Sequence, residues 1–152
     1  MIKCNVDCAL FNNNTITGLG ICFRDSSGTL FLSLSKYSYF NSTPSEAEAP
    51  GLFEVINIAI NCHMPSVIFE SECRLLVDAI NSNYTPNNKF GDIISRCKDL
   101  LSSRNNFIVS YVRRHVNKVA HNICRASLSY PNPHIFHVVP YTLYPLFFNE
   151  MN

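Results

Sequence analysis

The spacing of apolar residues changes partway along the chain from every second residue to about every 3.6 residues, which restricts the folds open to it. Apolar residues alternate with polar ones from Ile2 to Cys8, the pattern of a strand with two different faces. Two more apolar-rich runs follow, near residues 18–24 and 29–37, each preceded by turn residues. Three short strands joined by turns predict an antiparallel meander.

Helical spacing begins at Leu52, because Val55, Ile56 and Ala59 follow it on one face of a helix. Strand and helix patterns alternate along the rest of the sequence. They predict a strand near 66–70, helices near 73–81 and 93–101, a strand near 107–112 and a last helix capped by Asn117.

This order, βββαβααβα, indicates an α/β fold with a mixed sheet, since the helical crossovers make the first, fourth and fifth strands parallel. Functional side chains cluster where such parallel strands end. Asp7 closes the first strand in this interpretation, and Glu70 and Glu72 lie at the end of the fourth. We therefore expect acidic side chains to be neighbours at one edge of the sheet.

The chain of 152 residues is long enough for one hydrophobic core and too short for two. With 47% hydrophobic and 15% charged residues, it is too apolar for a disordered segment. We assign residues 1–129 to one domain and residues 130–152 to a proline-rich apolar tail without regular structure. Residues 1–88 carry four basic and eight acidic side chains, whereas residues 89–125 carry eight and two, so a basic half follows an acidic one.

Seven cysteines, an odd number without a Cys-x-x-Cys pair, are expected to be buried free thiols in a reducing compartment. The N-terminus has no secretory signal. The most apolar stretch, residues 135–148, is interrupted by two prolines and is shorter than the ~20 residues of a membrane helix. These features favour a nuclear or cytoplasmic protein that is neither secreted nor inserted in a membrane.

Several common active sites lack their characteristic residues. Gly18-Leu19-Gly20 leads into a strand and lacks the third glycine of a dinucleotide site. The sequence has neither a P-loop nor a Gly-x-Ser-x-Gly turn, which argues against P-loop hydrolysis and serine hydrolase chemistry. Carboxylates remain as candidates, and their oxygens suit Mg²⁺ or Mn²⁺. These candidates are Asp7, Glu46, Glu48, Glu70 and Glu72.

Five motifs follow one another at suitable spacing within residues 2–128. They are Lys3-Cys4-Asn5-Val6-Asp7, the segment 18–28, Ser45-Glu46-Ala47-Glu48-Ala49, Phe69-Glu70-Ser71-Glu72 and the segment 112–121. Together they resemble the plant ribonuclease H-like domains that are related to retroelement reverse transcriptases. The tail lies outside the resemblance.

The resemblance implies a ribonuclease H-like fold, with a five-stranded mixed sheet in the order 3-2-1-4-5 flanked by helices. It implies an endonuclease that hydrolyses the RNA strand of RNA–DNA hybrids with two divalent ions, Mg²⁺ or Mn²⁺. By position, the implied metal ligands are Asp7, Glu48 and Glu72, and His121 occupies the fourth catalytic position.

Nucleic acid is the expected partner, and we expect a monomer with no membrane association. Arg113, Arg114 and Lys118 lie in the last motif and are the candidates for neutralising phosphates. Four further basic residues precede them, and these are Lys89, Arg96, Lys98 and Arg104.

Three departures from the family's pattern leave alternatives open. Glu72 and His121 stand where the family has Asp, and both changes weaken the expected metal site. Pro50-Gly51 interrupts the family's helix just after Glu48, so this helix can instead begin at Pro50, with Glu48 outside it. The alternatives to an active nuclease are a catalytically impaired nucleic-acid-binding module and a decayed retroelement fragment that retains the fold.

Overall fold

A six-stranded sheet with helices packed on it is present in the part of the chain that the computed structural model describes, residues 1–39 and 41–136. The strands are β1 (Ile2–Phe11), β2 (Ile16–Arg24), β3 (Leu30–Tyr39), β4 (Val67–Ser71), β5 (Phe107–Tyr111) and β6 (His134–Phe136). The helices are α1 (Pro44–Asn61), α2 (Arg74–Asn81), α3 (Lys89–Ser102) and α4 (Lys118–Arg125), with short 3-10 helices at Arg114–Val116 and Ser127–Ser129.

The strands lie in the order β5-β4-β1-β2-β3-β6. β1 pairs in parallel with β4, and β4 with β5, whereas β1, β2 and β3 form the antiparallel meander. The predicted α/β class and the order of the first five strands are confirmed. The ribonuclease H-like arrangement therefore follows from the crossovers that α1 and the α2–α3 pair impose.

The sixth strand is a correction to the five-stranded prediction, and it lies in the segment that was expected to lack regular structure. β6 pairs antiparallel with β3 through Ser33, Leu34 and Ser35. The Asn132 side chain fixes the segment before β6 against β3. Its Oδ1 accepts from the Tyr37 N–H and its Nδ2 donates to the Tyr37 C=O, both at 2.8 Å. A three-residue strand that depends on a distant partner leaves no periodic signal. Residues 137–152 of the predicted tail lie outside the described residues.

The first helix, α1, begins at Pro44, so the alternative prediction that it begins at Pro50 is wrong. Thr43 is its N-cap, and the Thr43 and Glu46 side chains bond each other's backbone N–H groups in a capping box. Pro44 occupies the first helical position, where no backbone donor is required. Glu48 consequently lies inside α1, in its second turn, and its direction is set by the helix.

Pro50 and Gly51 lie within α1 without ending it. Pro50 removes one backbone hydrogen bond of the helix. Glycine is required at position 51 because the helix packs closely on the sheet there. A Cβ at Gly51 would lie 2.9 Å from a Leu19 methyl and 3.2 Å from the Cys8 sulfur. The missing side chain thus lets α1 lie directly on β1 and β2.

Apolar side chains from β1, β2, β4 and β5 and from α1, α2 and α3 form the main core, which includes Val6, Ile21, Leu52, Ile56 and Phe69. A smaller cluster lies on the opposite face, where Cys22 packs against Val119, Ala120 and Ile123 of α4. Within the described ranges, no helix has the length and apolar character needed to cross a membrane.

Candidate active site

Asp7 lies inside β1, so the prediction that it closes the first strand is wrong. The parallel pairing with β4 nevertheless stops just before it, at Asn5 and Glu70. Beyond that pair β1 is bonded to β2 alone, which leaves the β4 side of the strand open to side chains. The Asp7 residue is only 2% exposed.

Glu48 meets Asp7 from α1. The backbone N–H of Cys8 donates to Asp7 Oδ1 at 2.9 Å and to Glu48 Oε1 at 3.3 Å, so one donor serves both carboxyl groups. Burial raises the pKa of the Glu48 carboxyl, and the neighbouring Asp7 charge raises it further. A strand residue and a helix residue about 40 positions apart are thereby held side by side.

Glu72 supplies a third carboxylate from just after β4. Its Oε1 pairs with Arg114 Nε at 3.4 Å, and its Oε2 is buried without a hydrogen-bond partner among the described residues. The Asp7 charge is close enough to raise the pKa of Glu72. Glu48 therefore lies beside Asp7, and Glu72 lies within range of the Asp7 charge, with each of the three predicted carboxylates on a different element.

His121 joins this cluster from α4. Its Nδ1 lies 2.7 Å from Asp7 Oδ2, and its side chain is 30% exposed. Both oxygens of Asp7 thus have a partner, one in the Cys8 amide and the other in the imidazole.

Two contacts fix α4 beside Asp7. Gly20, the cross-strand partner of Asp7, lies under the helix, where a Cβ would be 2.2 Å from the Ala120 carbonyl oxygen. The buried Asn117 side chain donates to the Val6 carbonyl at 3.1 Å and makes no capping bond. Asn117 occupies the N-cap position of α4, but the prediction that its side chain caps the helix is wrong. The side chain bonds a carbonyl of β1 instead of the N–H groups at the start of the helix.

The electrostatics of the cluster favour a bound cation. Burial raises the pKa of Glu48 well above its ordinary value, and the neighbouring Asp7 raises it further. Burial also raises the pKa of Glu72, Asp7 adds to this, and Arg114 opposes it. Glu48 Oε2 and Glu72 Oε2 are buried and lack partners within the described part of the chain. Partnerless carboxylate oxygens fit a hard divalent cation.

The other two acidic candidates have structural partners. Glu70 is only 6% exposed, accepts from Asn5 Nδ2 at 2.8 Å and lies 3.7 Å from the Lys3 ammonium. Arg24 Nη2 in turn donates to Asn5 Oδ1, which extends the network into β2. Glu46 belongs to the capping box of α1. Neither residue contacts Asp7 through a hydrogen bond in the described structure.

The predicted phosphate-binding residues lie between the end of β5 and the first turn of α4. Arg113 and Arg114 are exposed and Lys118 is half-buried, and Arg114 already reaches the carboxylate cluster through Glu72. Lys98, further upstream, is engaged elsewhere. Its ammonium donates to the carbonyls of Ser82 and Tyr84 and to the Thr85 hydroxyl, so it ties down the loop between α2 and α3.

Sequence reasoning missed one side chain at the cluster, Cys124. Its thiol donates to the His121 carbonyl at 3.0 Å, and its sulfur lies within 4.8 Å of an Asp7 carboxylate oxygen. The signal was its spacing, since residues three apart on a helix share a face, and His121 and Cys124 have this spacing.

Known proteins resemble this chain in both sequence and fold. A family model described as reverse transcriptase-like matches residues 5–127. No curated protein matches the sequence. Ribonuclease H1 from the halophilic archaeon Halobacterium salinarum superposes with a TM-score of 0.76 at 16% identity, covering 84% of this chain and 97% of that one.

Two more solved structures are similar. The LC11 ribonuclease H1, solved in complex with an RNA/DNA hybrid, has a TM-score of 0.74 at 16% identity and covers 85% of this chain and 97% of its own. The N-terminal ribonuclease H domain of a Mycobacterium tuberculosis protein has a TM-score of 0.73 at 15% identity, with 84% and 93% covered. These likenesses establish the ribonuclease H fold, and the match over residues 5–127 places the chain in the reverse transcriptase-like family.

Proposed function

We propose that this domain is a monomeric endonuclease that hydrolyses the RNA strand of RNA–DNA hybrids with divalent metal ions, Mg²⁺ or Mn²⁺. The observation that carries the proposal is the convergence of Asp7, Glu48 and Glu72, from three elements, around buried carboxylate oxygens without partners. Family membership supports the reaction class. A similar ribonuclease H1 that was solved with an RNA/DNA hybrid supports the choice of substrate.

Asp7, Glu48 and Glu72 would hold the metal. When bound, divalent ions activate a water and stabilise the leaving oxygen in phosphodiester hydrolysis. Of the chain's own groups, the Cys8 amide orients the Asp7 and Glu48 carboxylates, and α1 keeps Glu48 out of bulk water. The Asp7 contact at Nδ1 orients the His121 ring, so Nε2 is the atom that would exchange a proton with water or substrate.

Basic residues beside the cluster would position the nucleic acid. Arg113 and Arg114 are exposed at the start of the segment that leads into α4, and Lys118 is in its first turn. Their charge is opposite to that of the carboxylates, so the backbone phosphates would bind here while the scissile bond faces the acidic groups. Each phosphate neutralised releases counterions, which makes such binding sensitive to salt.

The test is cleavage of a hybrid with a labelled RNA strand by the purified chain, with Mg²⁺, with Mn²⁺ and with chelator. We expect cation-dependent cleavage of the RNA strand and a loss of at least about 100-fold in Asp7→Asn. Asp99→Asn, the same change at an exposed site on α3, should retain full activity. Absence of cation-dependent cleavage, or equal cleavage by Asp7→Asn, would contradict the proposal.

A catalytically impaired binding module is the second candidate, and two contacts favour it. His121 engages Asp7 Oδ2 at 2.7 Å, and Arg114 engages Glu72 Oε1, so two carboxylates already have partners in place of a metal. This candidate predicts salt-sensitive hybrid binding without cleavage, and activity gained by Glu72→Asp combined with His121→Asp. Wild-type cleavage, or the absence of both binding and recovery, would exclude it.

A further inference from the structure

Three side chains with different donor atoms surround one point in the candidate active site. A carboxylate oxygen of Asp7, a ring nitrogen of His121 and the Cys124 sulfur all lie within 4.8 Å of one another. We infer that these residues form a binding site for Zn²⁺ or a cation of similar preference, which would compete with the metal of the hydrolytic reaction. The binding stands on the geometry alone, whereas the inhibition rests on the proposed function.

Helix geometry and the close approach of α4 to the sheet build this site. His121 and Cys124 are three residues apart and therefore share one turn and one face of α4. Gly20 allows that turn to lie directly on β2, opposite Asp7. Asp7 Oδ2 lies 2.7 Å from His121 Nδ1, and the Cys124 sulfur is within 4.8 Å of the ligand atoms of both residues.

The mixed donor set distinguishes this site from the carboxylate cluster. Thiolate and imidazole ligands suit Zn²⁺, which binds sulfur, nitrogen and oxygen in tetrahedral sites, whereas Mg²⁺ prefers oxygen alone. A catalytic-type zinc site has three protein ligands and one open position, which matches Asp7, His121 and Cys124 with a water. Asp7 is common to both sets, so an ion held by His121 and Cys124 would compete for its carboxylate.

Binding changes protonation but not oxidation state. The S–H bond of Cys124 breaks, its proton passes to solvent, and the thiolate forms a bond to the metal. The hydrogen bond between His121 Nδ1 and Asp7 opens, the Nδ1 proton passes through solvent to Nε2 of the neutral ring, and the freed Nδ1 would coordinate the metal. The partial exposure of His121, at 30%, provides the route by which the ion and the released proton reach solvent.

Other cysteines provide matched controls. Cys8 is the neighbouring thiol, but its Sγ donates to the Ala47 carbonyl at 3.2 Å and packs on the main-core side of β1. Cys62, at the end of α1, is exposed and would bind metal only as an isolated surface thiol. Serine at either position tests adventitious thiol binding while Cys124 stays intact.

The experiment titrates the reduced full chain with Co²⁺, a spectroscopic substitute for Zn²⁺ whose bond to thiolate gives a charge-transfer band. We expect the band in wild type, Cys8→Ser and Cys62→Ser, its displacement by Zn²⁺, and its loss in Cys124→Ser. His121→Ala, at a partly exposed position, should weaken Zn²⁺ binding at least about tenfold. If Cys124→Ser folds poorly, Cys124→Ala replaces it and should weaken Zn²⁺ binding by the same factor. No band in wild type, a band that persists without Cys124, or one lost in Cys8→Ser would overturn the inference.

A second arm separates this inference from the proposed function. Zn²⁺ added to the Mg²⁺-dependent hybrid assay should inhibit wild type and Cys62→Ser, with at least about tenfold more Zn²⁺ needed for Cys124→Ser. If the chain never cleaves hybrid, the proposed function fails while the Co²⁺ spectrum still decides the zinc site. If it cleaves hybrid but shows no band, the zinc site fails alone.

Discussion

The two faces of β1 differ in chemistry although they alternate residue by residue. Cys4 and Val6 point into the apolar core that α1, α2 and α3 cover. Asn5 and Asp7 lie on the other face, where they bond to Glu70 and His121. Burial on the first face removes apolar area from water and stabilises the fold. Burial on the second removes charge from water, which is unfavourable unless a counter-charge is present.

The two faces therefore differ in whether they can hold polar side chains near the sheet. The face covered by α4 has only a small apolar cluster, so it leaves room for polar groups beside it. His121 approaches Asp7 from α4 on this face, whereas Glu48 approaches from α1, which covers the apolar face. Burial raises the pKa of Glu48 and of Glu72. The acidic cluster therefore draws on both faces, beside the part of β1 that β4 leaves unpaired.

Phe69→Ala should have the largest effect on stability, because it tests the apolar face. Phe69 is fully buried in β4, and its ring meets Phe107 edge-on at 5.4 Å between centroids. Truncation of a buried aromatic side chain costs about 3–5 kcal/mol, measurable by urea unfolding. Ile108→Ala, at a half-exposed position on β5, is the control and should cost much less. Equal losses would show that this face is not the main source of stability.

Gly20→Ala should have an intermediate effect, because it disturbs only the α4 face. The added Cβ would meet backbone atoms, 2.2 Å from Ala120 O and 2.5 Å from Cys124 N. Overpacking of this kind costs about 1–3 kcal/mol, and it should also move His121 away from Asp7. Urea unfolding gives the first quantity, and the NMR shift of the Cys8 amide, which bonds Asp7, reports the second. Unchanged stability and shift would mean that α4 does not rest on this glycine.

Glu48→Gln should have the smallest effect and the opposite sign. Because the pKa of Glu48 is raised in the folded state, its contribution to stability is complete at acid pH and is lost as pH rises through the folded-state value. Gln cannot ionise, so in chelator the variant should match wild type near about pH 4 and melt a few degrees higher near neutrality. Thermal melts across this range measure the difference.

The control for that experiment is Glu54→Gln, which removes a carboxylate from the surface pair with Lys36. It should leave the melting temperature unchanged or slightly lower at neutral pH. If Glu48→Gln behaved in the same way, the Glu48 carboxyl would not carry the electrostatic cost that its burial beside Asp7 implies.

Local patterns were sufficient to predict most of the scaffold. The alternation from Ile2 to Cys8 and the helical spacing from Leu52 predicted the elements and the parallel edge. The start of α1 was missed although its signal is local, since Thr43, Pro44 and Glu46 form a recognisable cap. Tertiary contacts explain the other misses. β6 depends on pairing with β3, about 100 residues away in sequence.

The candidate site also contains some features that the sequence predicts and others that depend on tertiary contacts. Strand order predicted acidic side chains at one edge of the sheet, whereas the choice of Asp7, Glu48 and Glu72 as metal ligands came from the family resemblance and stays a prediction. The bond between Asp7 and His121 and the position of Cys124 beside them did not follow, since both depend on how closely α4 approaches β2. Such an approach is set by packing at Gly20, and a lone glycine in a strand does not reveal what lies above it.

We propose that carboxylates from separate elements of this chain form one site for a divalent cation. Calorimetric titration of the whole chain with Mn²⁺ or Mg²⁺ tests it most directly, with Asp7→Asn as the variant and Asp99→Asn as the charge-matched control. We predict saturable binding by wild type and Asp99→Asn, and affinity reduced at least about tenfold in Asp7→Asn. Equal binding by all three proteins, or no binding by wild type, would contradict the account.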